Sequence, residues 1–314
     1  MRPWRRHGAP GSAAARSGAA SAAPQWQRAR RTGRRWAAAG ALCGALAALV
    51  VFAPATWLAA ALAEGSGQRL LLADARGTVW NGDAVAVLSG GADSRSAALL
   101  PGRVHWRIAP RGLGLELRVF QPCCMSDAAR LQLRPSLGRV SLQLLPGGGD
   151  GGGDGGGDGG GTDGRIGEWP AAWLGGLGAP WNTLRLSGAL RLSSPGLSLD
   201  VAAGRWTLAG QAELRMSDIA SPLTSLERLG SYLVQLDAGG DGRAGAEGGG
   251  DGTPVFVLST LDGALQLDGT GQWTGAHWRF RGQARAAPGN EAELNNLLNF
   301  FGRRQGALAV ISIG

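Results

Sequence analysis

The chain has 314 residues and a formal net charge of +8, a composition that could suit a nucleic-acid partner. However, residues 1–63 contain nine arginines and no acidic residue, so the rest of the chain is close to neutral. A nucleic-acid-binding protein places its positive charge on a folded face, and this distribution therefore argues against DNA or RNA as a partner.

The first predicted element is a membrane span. Residues 36–63 carry no charge, and this run is longer than the roughly 20 residues that a helix needs to cross a bilayer. The arginines before it predict a cytoplasmic N-terminus and a periplasmic remainder, with residues 1–35 as a disordered basic arm. Pro54 is expected to divide the run into a core span, 36–53, and an interfacial extension, 55–63.

A cleavable signal peptide is the alternative to this anchor. Residues 61–63, Ala-Leu-Ala, have the small-x-small form of a cleavage site. Secretory signals have an apolar segment of about 7–15 residues behind a short basic head, and both segments are much longer here. A retained anchor is therefore favoured, and cleavage after Ala63 stays open.

Beyond residue 68, apolar and polar residues alternate with period two. This pattern predicts antiparallel strands with one face on a core and the other in water. The alternating runs are 113–119, 131–134, 140–144, 184–187, 190–192 and 197–201. Turn signals separate them at 81–82, 101–102, 110–112, 195–196 and 262–263. The expected fold is mainly β: one transmembrane helix followed by a periplasmic, antiparallel β-rich domain with two short helices.

The two short helices are expected at 291–301 and 221–229. Asn290 is a good N-cap, with Glu293 at the capping-box position. The residues at helical spacing behind it, expected to pack on the sheet, are Leu294, Leu297, Leu298 and Phe301. The second helix is predicted from Ser221-Pro222, with proline at the first helical position.

Two low-complexity segments interrupt the strands. Residues 147–164 consist mainly of Gly-Gly-Gly-Asp units and are predicted to be a flexible linker. A calcium-binding β-roll is disfavoured because it needs an apolar position in each repeat. Residues 238–252 form a second insert of similar composition. The periplasmic region is thus expected in two β-rich parts, 64–146 and 165–314, the second with this insert.

A weak internal echo places tryptophan shortly after one glycine and before another. It occurs at 77–82, 204–210 and 271–275, around Trp80, Trp206 and Trp273. We interpret these segments as hairpins in a meander, each with a tryptophan packed on the sheet. A platform for stacking carbohydrate is the alternative reading.

No constellation of catalytic or metal-ligating residues stands out. The usual hydrolase, nucleotide-binding and metalloprotease motifs are missing, and His105 and His277 are interpreted as strand residues. A disulfide between the neighbours Cys123 and Cys124 would be strained, so both are expected to be ordinary strand or turn residues rather than a redox pair. We predict no catalytic residue, no cofactor, no metal and no small-molecule substrate.

Four blocks together resemble the type II secretion system protein N family. They are 54–58; 72–82 with 100–103 and Trp106; 169–174 with 178–184; and 278–284 with 292–298 and Gly302. The Gly/Asp inserts depart from the family pattern. The resemblance implies a bitopic inner-membrane protein with a periplasmic β domain, an accessory part of the machine that exports folded proteins from the periplasm across the outer membrane. Its implied partners are inner-membrane or secretin subunits of that apparatus and membrane lipid.

Two other functions are weighed beside this one. One is a membrane-anchored periplasmic protein that handles lipid in an apolar β groove, like the AsmA-type proteins. The other is an anchored carbohydrate-binding module that uses the tryptophans. If an apolar strand face or edge is the working surface, charges at Leu113 or Leu115 should abolish function without unfolding the chain.

Overall fold

The computed structural model describes residues 23–145, 164–202, 205–239, 253–273 and 278–313. The chain divides between Phe52 and Ala53 into two compact units. The first contains the helix α1, Ala23–Val51. Residues 23–35, expected as part of a disordered arm, belong to this helix, and residues 1–22 of the arm lie outside the described residues. No helix in the described ranges has both the length and the apolar character needed to span a membrane.

The second unit begins with a short helix, α2, Ala55–Gly65. The predicted break at Pro54 is confirmed, since α1 ends at Val51 and α2 begins after the proline. The expected role of residues 55–63 as an interfacial extension is wrong in one respect. Ala55 is buried and Leu58 is partly buried, in a cluster with Trp106 from the sheet, so this helix covers protein.

All sixteen strands of the described chain belong to one antiparallel sheet. They are β1 Leu70–Gly77, β2 Asn81–Ser89, β3 Ala97–Leu99, β4 Val104–Arg111, β5 Gly114–Phe120, β6 Ala129–Ser136, β7 Arg139–Leu145, β8 Arg165–Pro170, β9 Ser187–Ala202, β10 Arg205–Ala220, β11 Gly230–Ala238, β12 Val255–Gly263, β13 Leu265–Trp273, β14 Trp278–Ala286, β15 Arg303–Gln305 and β16 Leu308–Ile313.

The sheet is a meander in which neighbours along the chain are mostly neighbours in space. Its order is β1-β2-β4-β5-β6-β7-β9-β10-β11-β12-β13-β14-β16-β15, with β3 beside β2 and β8 beside β9. The expected antiparallel, mainly β fold is confirmed. Strand β7 pairs directly with β9, with Leu142 opposite Leu199. The two β-rich parts expected on either side of the 147–164 linker therefore form one continuous sheet.

The predicted helix at 291–301 is confirmed as α4, Glu291–Phe301. Leu294, Leu297 and Leu298 are almost fully buried against the sheet, as the helical spacing indicates. The predicted capping box does not form. The Asn290 side chain makes no cap hydrogen bond, and the carboxylate of Glu291 accepts one from the backbone N–H of Gly289 at 2.9 Å.

The predicted helix at 221–229 is wrong, because these residues form a loop. The Ser221 hydroxyl donates to the carbonyl of Leu184 at 2.6 Å and accepts from the N–H of Leu223. This side chain thus offers the backbone an alternative to a helical turn. Two other short helices, which the sequence did not predict, lie before β9. They are a 3₁₀ helix, Ala171–Leu177, and a single helical turn, α3, Trp181–Leu184.

Two strand predictions also need correction. The run 184–187 does not form a strand from its start, because Leu184 ends α3 and β9 begins at Ser187. The turn expected at Pro195-Gly196 lies inside β9, where the pairing with β10 shifts register. This bulge changes which residues of β9 face the core, and it joins two predicted strands into one.

Cys123 and Cys124 form a disulfide in the turn between β5 and β6. The expectation that they stay unpaired is wrong, although their position in a turn is confirmed. Glu168 anchors the chain next to this turn, since its backbone N–H donates to the carbonyl of Cys124 at 2.7 Å.

Candidate functional site

One face of the sheet is apolar across its central strands. Strand register places leucines opposite each other in a continuous row from β5 to β10. Each is half-buried. The row consists of Leu115, Leu133, Leu142, Leu199 and Leu208. A second row lies beside the first, two residues away on each strand. It consists of Leu117, Leu131, Leu144 and Leu197. We call this surface the apolar face.

The opposite face is polar and hydrogen-bonded. Its row across the same strands is Glu116, Gln132, Gln143 and Ser198. Glu116 is 4% exposed and pairs with Arg118 and Arg111, the former at 2.5 Å. The guanidinium groups of Arg118 and Arg111 lower the pKa of Glu116 below its usual value. This carboxylate therefore stays ionised at neutral pH and fixes two neighbouring strands.

Aromatic rings replace leucines where the apolar face continues onto β12–β14. The rings of Phe256 and Phe280 stack with centroids 5.5 Å apart and an interplanar angle of 6°. Phe256 lies over Gly271, where an added Cβ would approach the ring within 2.1 Å. Phe280 lies over Gly269 in the same way, at 2.6 Å. Glycine at these positions of β13 thus makes room for two flat rings.

One end of the apolar face is closed by packed elements. There α4, the 3₁₀ helix and the 221–229 loop enclose a buried cluster that includes Leu229, Tyr232 and Leu265. The hydroxyl of Tyr232 donates to the carbonyl of Leu265 at 3.0 Å. Burial raises the pKa of Tyr232 above its usual value, and the charge of Asp262 adds to this effect.

At the other end of the apolar face, no element of the described residues packs over it, and successive hairpins carry exposed apolar side chains. The tips join β4 to β5, β6 to β7 and β9 to β10, and they carry Leu113, Leu137, Val140, Val201 and Trp206. Leu113 and Leu137 are almost fully exposed, at 98% and 104%. We call the described residues 111–113, 137–140, 201–202 and 205–206 the open rim.

Leu113 and Leu115, predicted as a possible working surface, lie in different environments. Leu115 is part of the apolar face and half-buried, whereas Leu113 projects from the turn at the open rim. The sequence pattern places both on one alternating strand. The structure begins β5 at Gly114, so the alternation continues one residue beyond the strand.

The tryptophans of the internal echo are partly brought together. Trp206 and Trp273 contact each other with ring centroids 4.9 Å apart, as expected for tryptophans packed on hairpins of a meander. Trp80 lies in the β1–β2 turn, where its carbonyl accepts from the N–H of Ile108 at 2.7 Å. Gly204 and Gly275 lie outside the described residues, and the carbohydrate-platform reading stays a prediction.

The histidines do not form a site in the described ranges. His105 is exposed on β4, while His277 lies outside the described residues. Among the described residues, no three His, Cys, Asp or Glu side chains are grouped so that they could hold a metal ion. The exposed apolar side chains of the open rim and the half-buried leucines of the apolar face make these two surfaces the candidates for binding.

Sequence reasoning predicts the alternation that builds the apolar face but misses its aromatic part. The available signal is the Gly-x-Gly spacing of Gly269 and Gly271, which lie inside β13, because glycine within a strand indicates close approach by another group. Nothing in the local sequence identifies Phe256 and Phe280 as the approaching groups, because they lie on different strands.

Comparison with known proteins assigns the family. No curated protein and no solved structure matches the chain significantly. The family model for protein N of the type II secretion system (T2SS) matches residues 68–310. This match contains every strand from β1 to β15 and part of β16. The chain therefore belongs to the type II secretion system protein N family and is a component of that apparatus.

Proposed function

We propose that this protein is a non-enzymatic accessory subunit of the type II secretion apparatus, anchored in the inner membrane. In this role it supports export of folded proteins from the periplasm across the outer membrane. The observation that carries the proposal is the family match over residues 68–310, which covers nearly the whole sheet. Its partners are other inner-membrane or secretin subunits of the apparatus.

The proposed topology rests on the sequence around α1. Residues 36–63 contain no charged side chain and follow nine arginines, which favours a single pass with the N-terminus in the cytoplasm. The core of this span is 36–53, and the sheet then works in the periplasm. A periplasmic location is also the compartment in which a disulfide such as Cys123–Cys124 persists.

Deletion and complementation test the secretion role. A strain lacking this chain should retain exoproteins in the periplasm, and the full chain supplied in trans should restore their release. A strain with an inactive secretion ATPase provides the reference for a complete block. In-cell crosslinking of the full chain should capture subunits of the apparatus. Unchanged exoprotein release together with no such crosslinks would contradict the proposal.

Reporter fusions test the topology. Alkaline phosphatase, which is active only in the periplasm, should be active when fused after Gly90 and inactive when fused after residue 35. The full chain should also stay in the membrane pellet after alkaline carbonate extraction. Activity of both fusions, or release into the supernatant, would overturn the proposed anchor.

A second candidate function is lipid handling by the apolar face, as in an AsmA-like groove. The observation that favours it is the row of five half-buried leucines that crosses the sheet from Leu115 to Leu208. Within the described chain, none of these five side chains belongs to either buried core cluster. An acyl chain is a suitable occupant for such a surface, because burial of apolar area drives its binding.

Lipid extraction and mass spectrometry of the purified full chain test this second function. Phospholipid should co-purify with the wild-type chain and decrease in Leu199→Asp, which places a charge in the middle of the row. Ser198→Asp is the matched control, because it introduces the same charge one residue away on the polar face. Equal lipid content in the two variants would contradict lipid handling by this face.

A further inference from the structure

The open rim combines apolar and basic side chains on three successive hairpin tips. The tip between β4 and β5 presents Arg111 and Leu113, and the tip between β6 and β7 presents Leu137 and Arg139. The tip between β9 and β10 ends in exposed Arg205 and Trp206. Each tip thus carries an arginine and a large apolar residue within two positions of each other.

The charge of this rim is only partly neutralised by the protein. Arg111 pairs with Glu116. Within the described ranges, Arg139 and Arg205 are exposed and form no ion pair with an acidic side chain. Exposed arginines beside leucine and tryptophan are typical of surfaces that enter the headgroup region of a membrane, where phosphates accept hydrogen bonds and ring or alkyl groups reach the acyl boundary.

The start of the second unit lies at the same end of the sheet. The carbonyl of Ala53 accepts from the N–H of Val79 at 2.9 Å, in the turn between β1 and β2. This turn ends at Asn81, which pairs with Arg107 on β4. The residues of β4 that follow Arg107 lead to the open rim. The proposed membrane anchor ends directly before Ala53 in the sequence, so only a short length of chain connects it to this end of the sheet.

From these observations we propose that the open rim lies on the periplasmic surface of the membrane. Leu113, Leu137 and Trp206 enter the headgroup region, and Arg139 and Arg205 pair with phosphates of anionic phospholipids. The hairpins thus form a second contact with the bilayer besides the anchor. This inference rests on the proposed anchor for the location of the membrane, and its test separates the two.

Site-specific probes on the full chain test the contact. Cys43 is exposed and is first replaced by serine, so that a fluorophore can be attached at Leu137→Cys or Leu113→Cys. Leu261→Cys is the matched control, because Leu261 is 47% exposed but lies near the closed end, on β12. The labelled chains are reconstituted into vesicles of phosphatidylcholine and phosphatidylglycerol that contain lipids with headgroup nitroxides.

The rim probes should be quenched about threefold more strongly than the Leu261 probe, because only the rim lies at headgroup depth. Arg139→Gln with Arg205→Gln should reduce this difference in anionic vesicles, whereas Arg285→Gln near the closed end should not. Equal quenching at the two ends in chains that sediment with vesicles would overturn the rim contact and leave the anchor intact. Failure of the full chain to sediment with vesicles would overturn both the anchor and the rim contact.

Discussion

The indole rings of Trp206 and Trp273 contact each other, with centroids 4.9 Å apart and an interplanar angle of 57°. Trp206 is the second residue of β10 and Trp273 is the last residue of β13. Two strands separate β10 from β13 in the sheet. Neighbouring strands are about 4.8 Å apart, so these backbones would lie about 14 Å apart in a flat sheet. The contact therefore indicates that the apolar face is concave here and that its side chains converge.

A double-mutant cycle on Trp206 and Trp273 should reveal coupling between them. Each single change to alanine should lower the free energy of unfolding by about 1–3 kcal/mol, since these rings are partly exposed. The double variant should lose less than the sum by about 0.5–1.5 kcal/mol, the range measured for aromatic pairs. Denaturant unfolding of the full chain in detergent measures these values.

The control is a second cycle that pairs Trp206 with Trp181 in place of Trp273. Trp181 lies on α3 and is exposed to the same degree as Trp206. The effects of Trp206→Ala and Trp181→Ala should add within about 0.5 kcal/mol, because the two rings lie on separate elements that do not pair. If the effects of Trp206→Ala and Trp273→Ala also add, the contact between the two rings contributes nothing to the free energy of unfolding.

Gly271→Ala should destabilise the sheet by about 1–3 kcal/mol. The added methyl would overlap the ring of Phe256, whose nearest atom would lie 2.1 Å from the new Cβ, and overpacking of this kind forces side chains out of their preferred rotamers. A second change, Phe256→Leu, should recover part of the loss because it removes the overlapping ring atoms. Thermal or denaturant unfolding checks both steps.

Gly65→Ala is the matched control for this substitution. Gly65 is the last residue of α2, and an added Cβ would meet no atom within 4 Å. Its free energy of unfolding should stay within about 0.5 kcal/mol of the wild type. A loss at Gly271 that Phe256→Leu does not reduce would argue against the ring as its cause.

Glu116→Gln should destabilise the protein by about 1–3 kcal/mol at neutral pH. The change keeps the shape but removes the charge that accepts hydrogen bonds from Arg118 and Arg111, and bonds of this charged type are stronger than neutral ones. Glu168→Gln is the control, because Glu168 is 36% exposed and its ion pairs are open to solvent. Its loss should stay below about 1 kcal/mol.

The advantage of wild type over Glu116→Gln should depend on pH in one direction. Because the folded-state pKa of Glu116 lies below its ordinary value of 4.5, the ionised carboxylate contributes stability that is fully present above pH 4.5. This contribution should decline as pH falls through the lowered folded-state pKa. Unfolding curves between about pH 7 and 3 measure it, and a difference independent of pH would contradict this assignment.

Patterns within one strand or helix are predictable from the sequence, and contacts between distant segments are not. Alternation correctly locates β5, β6 and β7, and helical spacing locates α4. These patterns reflect which side of the strand or helix packs on the core. A short window of sequence is enough to show that side. The pairing of Trp206 with Trp273 depends on the curvature of four strands, which no local window contains.

Two of the wrong predictions have a common physical cause, since tertiary hydrogen bonds replace local preferences. Ser221 carries the signal for the start of a helix, but its hydroxyl bonds to the carbonyl of Leu184, 37 residues away. Pro195 carries the signal for a turn, but it lies in a bulge that β10 pairs across. In both cases the structure that forms at the local signal depends on a distant segment.

Leu113 and Leu115 provide the last prediction, because they separate the open rim from the apolar face within one hairpin. Leu115→Asp should lower the free energy of unfolding by about 1–3 kcal/mol, since it places a charge among the leucines of β5 and β6. Leu113→Asp should change it by less than about 0.5 kcal/mol, because this side chain is 98% exposed. Protease resistance and unfolding curves measure stability, and exoprotein release measures function. Reduced release with a stably folded Leu113→Asp chain would assign function to the open rim, whereas normal release from this variant would show that Leu113 itself is dispensable there.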